Sequence, residues 1–150
     1  MKLLARSFLI GSGCLALGFF TGAIASDTGG KGIVRWAVAD LKWQPVPGVP
    51  VMVAPAWSHA NGSHCDFNKF PKGTKVPLHS HTAELGGVVL AGQFGSAEEG
   101  ATARLAGPGS YQFIPGGLKH TTECGADADC VVFACQPAAF DLVEAGGAKK

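Results

Sequence analysis

Gly73-Thr74-Lys75-Val76-Pro77-Leu78-His79-Ser80-His81 is the stretch on which the reading of this chain turns. It follows a turn marked by Pro71-Lys72-Gly73 and sets two histidines two residues apart. In a β-strand, residues i and i+2 point to the same face. His79 and His81 can therefore present both imidazoles to one point, as a metal site requires.

Working outward, the chain is cut into short apolar runs by glycine and proline. There are 22 Gly and 9 Pro in 150 residues, 47% of residues are hydrophobic and only 15% are charged, a composition that argues against disorder. Upstream, Ile33 to Ala39 reads as a β-type run. Pro45, Pro47 and Pro50 then exclude a helix or a central strand. Val51 to Trp57 resumes an apolar run, and Asn61-Gly62 marks a tight turn. His64 to Phe70 alternates, with Cys65 and Phe67 set against Asp66 and Asn68, as a half-buried strand does. Downstream, strands are expected at Leu85 to Gly92, Gln93 to Ala97, Ala101 to Leu105, Ser110 to Ile114, Leu118 to Cys124 and Cys130 to Cys135, with a last one at Phe140 to Val143. Turn signals every eight to twelve residues and the absence of a sustained 3.6-residue period predict an all-β sandwich or barrel.

The N-terminus reads as an address label. Lys2 and Arg6 precede the apolar stretch Phe8 to Phe20, and Ala23-Ile24-Ala25 presents small residues where signal peptidase cuts. The apolar stretch falls short of the roughly 20 residues of a spanning helix. Residues 1–25 are thus expected to be a signal peptide, followed by one domain over 26–150 with its core at about 33–143, exported to the periplasm or secreted. Removing residues 1–25 takes away two of the 12 basic and none of the 11 acidic residues, leaving 10 − 11 = −1. No basic patch stands out, so neither nucleic acid nor, after cleavage, a membrane surface is an expected partner. Cys65, Cys124, Cys130 and Cys135 remain, an even number suited to an oxidising compartment. Four cysteines allow three pairings. Cys124 and Cys130 flank a polar turn and could close a small loop, which would leave Cys65 with Cys135; alternatively some are free buried thiols.

A second histidine stretch completes the pattern. Gly73, five residues, His79-Ser80-His81 and Gly92, followed by Gly109, five residues, Pro115-Gly116-Gly117, two residues and His120, resemble the two signature motifs of the cupin superfamily. The chain is similar to small exported single-domain bacterial cupins of unassigned activity. The resemblance implies a jelly-roll barrel with the two motifs facing each other, bringing His120 to His79 and His81. Such a set would hold one divalent transition metal, Fe, Mn, Ni, Cu or Zn, with positions left open. A homodimer is also a family-based expectation.

The chain departs from the family pattern at two places. The family's glutamate falls on Leu85, and Glu84 lies one place early. Either the site is three-histidine with an apolar residue at the acid's place, or Glu84 enters through a bulge. The family's asparagine is Cys124, which is either a soft fourth ligand or half of a disulfide with Cys130. Tyr111 and Phe113 share a face and, if inward, would line the pocket, making Tyr111 and Cys124 candidates for its outer shell. His59 and His64 read as loop or mouth residues. Trp43 and Trp57 read as packing residues, and Gln93 and Arg104 as outer-face residues with an alternative role in substrate contact. By resemblance, the function is that of a metal-dependent enzyme on a small molecule, an oxygenase or a lyase or isomerase. The alternative is a non-catalytic small-ligand or zinc-binding sensor, as in zinc-binding cupins attached to anti-sigma factors.

Overall fold

Each turn residue singled out above ends a strand, and the strands pair into two facing sheets. The computed structural model describes residues 32–145, so the expected signal segment at residues 1–25 and the last part of the tail lie outside the described residues. The strands are β1 (Gln44–Pro45), β2 (Met52–Ser58), β3 (His64–Phe70), β4 (Lys75–Ser80), β5 (Leu85–Ala91), β6 (Phe94–Glu98), β7 (Tyr111–Ile114), β8 (His120–Cys124), β9 (Cys130–Gln136) and β10 (Val143–Glu144). Six form one sheet in the order β1-β2-β3-β9-β5-β7, and four form the other in the order β10-β4-β8-β6. All pairings are antiparallel, and the chain is a jelly-roll barrel. Among the described residues no helix is long and apolar enough to cross a membrane.

One end of the barrel is closed by packing. Val89, Phe94, Cys124, Cys130 and Val132 are buried together, with Phe70 and Ala134 against them. Phe70 and Phe94 meet across the two sheets with ring centroids 4.7 Å apart. The Cys124–Cys130 disulfide lies in this plug. A second disulfide, Cys65–Cys135, joins β3 to β9 between residues that are register partners. His120 is four residues along β8 from Cys124, roughly 13 Å at the rise of a strand, and so lies well away from the plug.

Two expected strands are absent. Ile33 to Ala39 forms none, and its end enters a 3-10 turn at Val38–Asp40, where the Ala37 N–H donates to the Asp40 carboxylate. With every residue from 33 to 40 exposed, no apolar face is buried to hold a strand there. Ala101 to Leu105 also forms no ladder. It returns beside β6 and touches it through an isolated bridge from Phe94 to Ala106. The backbone of Arg104 passes so close over Gly95 that a Cβ there would stand 2.4 Å from the Arg104 carbonyl oxygen. Beyond that one bridge the segment crosses β6 and forms no ladder with it.

The alternation on β3 has the opposite sense to the simple amphipathic reading. His64, Asp66, Asn68 and Phe70 line the interior cavity. Cys65 and Phe67 face the other way, where Phe67 packs on Phe133 with ring centroids 5.0 Å apart and Cys65 is bonded to Cys135. Beyond them, the Lys69 ammonium lies 5.8 Å from the Trp43 ring centre.

The two disulfides close loops of very different length, with sequence separations of 70 and 6. Chain entropy alone makes the first worth about 4 kcal/mol and the second about 2 kcal/mol. Urea unfolding of Cys65→Ala/Cys135→Ala is therefore expected to show the larger loss of stability from cross-link removal. Equal midpoints for this variant and the unaltered chain would contradict the assignment.

Candidate metal centre

Three local devices bring the three histidines to one place. The first is a bulge in β4. Val76 pairs with Thr122 and His79 with His120, so three steps on β4 oppose two on β8. Without the extra residue, Val76 and His79 would face opposite sides of the sheet; with it, both face inward. Pro77 sits in the bulge, where its missing N–H leaves no ladder bond unmade. The second device is strand parity beyond the bulge, which keeps His81 on the side of His79. The third is the Pro115-Gly116-Gly117 turn. Gly117 has φ +77, and its N–H donates to the His81 carbonyl at 2.7 Å. At Gly116 a Cβ would stand 2.6 Å from the Thr82 carbonyl oxygen, so the two motif loops approach as closely as glycine permits.

All three histidines are buried, His79 at 5% exposure. Their ligand atoms lie within 4.8 Å of one another. The Nδ1 of each ring reaches a backbone carbonyl: Pro77 for His79 at 2.7 Å, Asp141 for His81 at 2.5 Å and Leu118 for His120 at 3.0 Å. A carbonyl can only accept, so each Nδ1 carries the hydrogen and each Nε2 keeps its lone pair. That is the tautomer a metal ligand needs, held by the partners that usually orient one. The residues present thus fit a divalent transition metal. Burial, reinforced by the neighbouring imidazoles, pulls His79 from its ordinary 6.5 to about 4 despite the Pro77 carbonyl. Burial also lowers His120. An imidazole that resists protonation keeps its lone pair free for an ion.

The three rings open onto a cavity of about 360 Å³ inside the barrel. Its wall is largely apolar, with Val53, Phe70, Val76, Phe94 and Val132 among the lining residues. Leu85, at the family's acid position, also lines it, whereas Glu84 is exposed and is not among the group of potential ligands. The bulge that would have turned Glu84 inward is absent: β5 begins at Leu85, which pairs in register with Ile114.

Two other expected pocket residues are placed elsewhere. Tyr111 is 66% exposed on the outer face of β7. Its hydroxyl lies over Gly86, where a Cβ would come within 2.8 Å, and Gln112 and Ile114 take the inward positions. Cys124 does share the inward face of β8 with His120, but it is joined to Cys130 in the apolar plug and is no ligand. Gln93 and Arg104 are exposed outside the cavity, and His59 is exposed with its ring against Trp57.

The structure also brings in residues that sequence reasoning missed. Asp141 serves both motif loops: its carbonyl accepts from His81, and its carboxylate accepts from the Thr82 N–H at 2.8 Å and the Thr82 hydroxyl at 2.5 Å. Sixty residues separate Asp141 from His81, so no local pattern announces the contact. Asp66, Asn68 and Gln136 line the cavity wall opposite the histidines, and His64, read from the sequence as a loop or mouth residue, joins them there at the start of β3. The signal for the three on β3 was available in its polar phase, whereas Gln136 ends the apolar run of β9 and had none.

Comparison with known proteins agrees with this architecture. A family model described as the ChrR Cupin-like domain matches residues 32–139. No curated protein sequence matches the chain. Among solved structures, the polyketide cyclase RemF from Streptomyces resistomycificus is similar at 22% identity and TM-score 0.62, covering 73% of this chain and 82% of that one. The DMSP lyase DddQ from Ruegeria pomeroyi is similar at 22% identity and TM-score 0.54, covering 65% and 56%. The structure of Rhodobacter sphaeroides SigE in complex with the anti-sigma ChrR matches at 24% identity and TM-score 0.54, covering 67% of this chain and 51% of that one. At these identities the likenesses speak for the fold.

Two outcomes follow from the geometry. Asp141→Ala leaves the peptide carbonyl in place but removes the carboxylate that accepts from Thr82, and is expected to weaken metal affinity at least tenfold, the usual scale for groups that orient a ligand; unchanged affinity in a competition titration would show that this carboxylate does not position the site. The second concerns acid stability. A His79 depressed to about 4 is neutral in the fold but protonates in the unfolded chain below 6.5. The unfolded state then binds more protons, so stability falls as pH drops through this window. The metal-free protein is expected to lose on the order of 3 kcal/mol between pH 6.5 and 4 through His79, and His79→Gln should flatten that slope in urea titrations.

Proposed function

The chain belongs to the ChrR cupin-like family, and from that premise we propose that it is a mononuclear metal-dependent enzyme acting on a small molecule. One observation carries the reading: three oriented Nε2 lone pairs converge at the wall of an apolar cavity with room for a ligand. Structural zinc sites are closed by four protein ligands, whereas catalytic sites keep positions open. Among the described residues the potential ligand group holds three histidines and no fourth member.

A divalent metal bound there would supply Lewis-acid polarisation of an oxygen or a binding position for O2. The chain's own residues do the rest. Pro77, Leu118 and Asp141 hold the imidazoles in one tautomer. Neutral ligands leave the ion its full double charge, which favours an anionic or oxygen-rich group on the small molecule. The apolar wall excludes water. With Leu85 where an acid would stand, the ligand set itself provides no base. Oxygenase and lyase or isomerase chemistry both suit this arrangement.

The family match favours a second reading, in which the barrel holds zinc and senses a ligand without turnover. In either case the two disulfides support export to an oxidising compartment, in keeping with the signal-like segment at residues 1–25.

Metal analysis of the protein purified from the periplasm is expected to find one transition-metal ion per chain, lost in His79→Ala, His81→Ala and His120→Ala. Absence of metal even after anaerobic reconstitution would overturn both readings. Oxygen uptake or product formation by the loaded protein supports the enzyme. Ligand binding without turnover across both reaction classes supports the sensor.

A further inference from the structure

The cavity has a second polar wall that the metal centre does not use. On β3 and β9, His64 pairs with Gln136 and Asp66 with Ala134. Ala134 pairs in turn with Gly87, and Gly87 with Gln112. Across the sheet the inward row thus reads Asp66, Ala134, Gly87, Gln112. Two of the smallest residues stand in the middle, with polar groups on either side. The next row begins with His64 and Gln136.

Gln136 is 5% exposed, and its Oε1 is buried without a hydrogen-bond partner. A buried carbonyl oxygen left unpaired is costly and rare, and here it belongs to a residue that lines the cavity. Beside it, His64 Nδ1 lies 2.9 Å from the Gly62 carbonyl, which can only accept from it. That leaves Nε2 facing Asp66 Oδ2 at 3.5 Å. Burial raises the Asp66 pKa, opposed by His64 and by the Ala56 N–H. Ala56 can reach it because the register slips between Pro55 and Trp57, leaving Ala56 outside the ladder.

We propose that His64, Asp66 and Gln136 form a second, metal-independent subsite that binds the hydroxyl end of a small, largely apolar molecule. The other end of that molecule faces the three histidines, and for that end alone the inference rests on the proposed metal centre. The chemistry of the wall selects the group. Gln136 Oε1 and the Asp66 carboxylate are acceptors, so their complement is a donor. With His64 Nδ1 committed to Gly62, Nε2 and the Asp66 carboxyl meet with a proton between them, so the pair carries no net charge to hold an ammonium, which would also be repelled by a divalent ion in the same cavity. A neutral hydroxyl satisfies Gln136 at no such cost. Ala134 and Gly87 leave room for it, and Val53, Phe70 and Val132 cover the apolar middle. An acceptor pair of this kind discriminates strongly, because an analogue without the hydroxyl leaves a buried acceptor unpaired.

The test compares 3-hydroxybenzoate and 4-hydroxybenzoate with benzoate, by calorimetric titration of protein whose metal content has been measured. At least one hydroxylated probe is expected to bind about tenfold more tightly than benzoate, equivalent to about 1.4 kcal/mol. That preference should fall to near unity in Gln136→Met and in Asp66→Asn, with metal content retained and folding checked by thermal melting. Equal binding of all three probes by the unaltered protein overturns the subsite, as does a preference that survives both substitutions. Should the protein hold no metal, the metal reading fails separately. The subsite is then tested on the metal-free protein by the NMR shift of the Gln136 side-chain amide with phenol against toluene. A response to phenol that is absent with toluene supports the subsite, and the same response to both overturns it.

Discussion

Three backbone carbonyls, those of Pro77, Leu118 and Asp141, hold the centre of this barrel. Each accepts from an imidazole Nδ1 and so decides the tautomer and direction of one histidine. The rest of the architecture makes those carbonyls available. The β4 bulge releases that of Pro77 from the ladder, the Pro115-Gly116-Gly117 turn presents that of Leu118, and the segment between β9 and β10 carries that of Asp141. A histidine triad without such partners would be three rings sharing a cavity; with them it is three lone pairs directed at one point, a group that could hold a metal ion.

The barrel divides its work between two ends. At one, Phe70, Phe94, Val132 and the Cys124–Cys130 disulfide supply a packed plug. At the other, packing gives way to a cavity. The cost of leaving that volume unfilled is offset outside the cavity, where Cys65–Cys135 and the Phe67–Phe133 contact tie β3 to β9 on the far face of the sheet. The strand that contributes the second polar wall is thus also held by a covalent cross-link. Rigid support of this kind suits a site whose groups must stay in place while a small molecule enters.

Legibility in the sequence varied with the range of the interaction involved. The histidines were readable because strand parity and family spacing are local. For Glu84 the same parity pointed outward but left entry through a bulge open, and only the in-register start of β5 at Leu85 decided between the two. Tyr111 was not readable, because parity tells which residues share a face but not which face is inward. On β7 the answer depended on Gly86 of the neighbouring strand, over which the Tyr111 hydroxyl lies. On β3 the usual rule that apolar residues turn inward pointed the wrong way, since this strand supplies the polar patch of an otherwise largely apolar cavity and its outer face carries apolar contacts of its own.

What the sequence by itself determined is the β class, the turn positions and the three histidines with Leu85 at the acid's place. The class and the turns follow from residue types and from spacings of a few residues, while the joining of His120 to the pair and the place of Leu85 are what the resemblance to the cupin motifs implies. What only the tertiary structure decided is which wall faces them and what orients them. Asp141 reaches Thr82 and His81 across some sixty residues, and His64 meets Gln136 only because β3 lies beside β9. Those contacts depend on sheet order and register, which are set by the packing of the whole barrel and leave no periodic trace in any one segment.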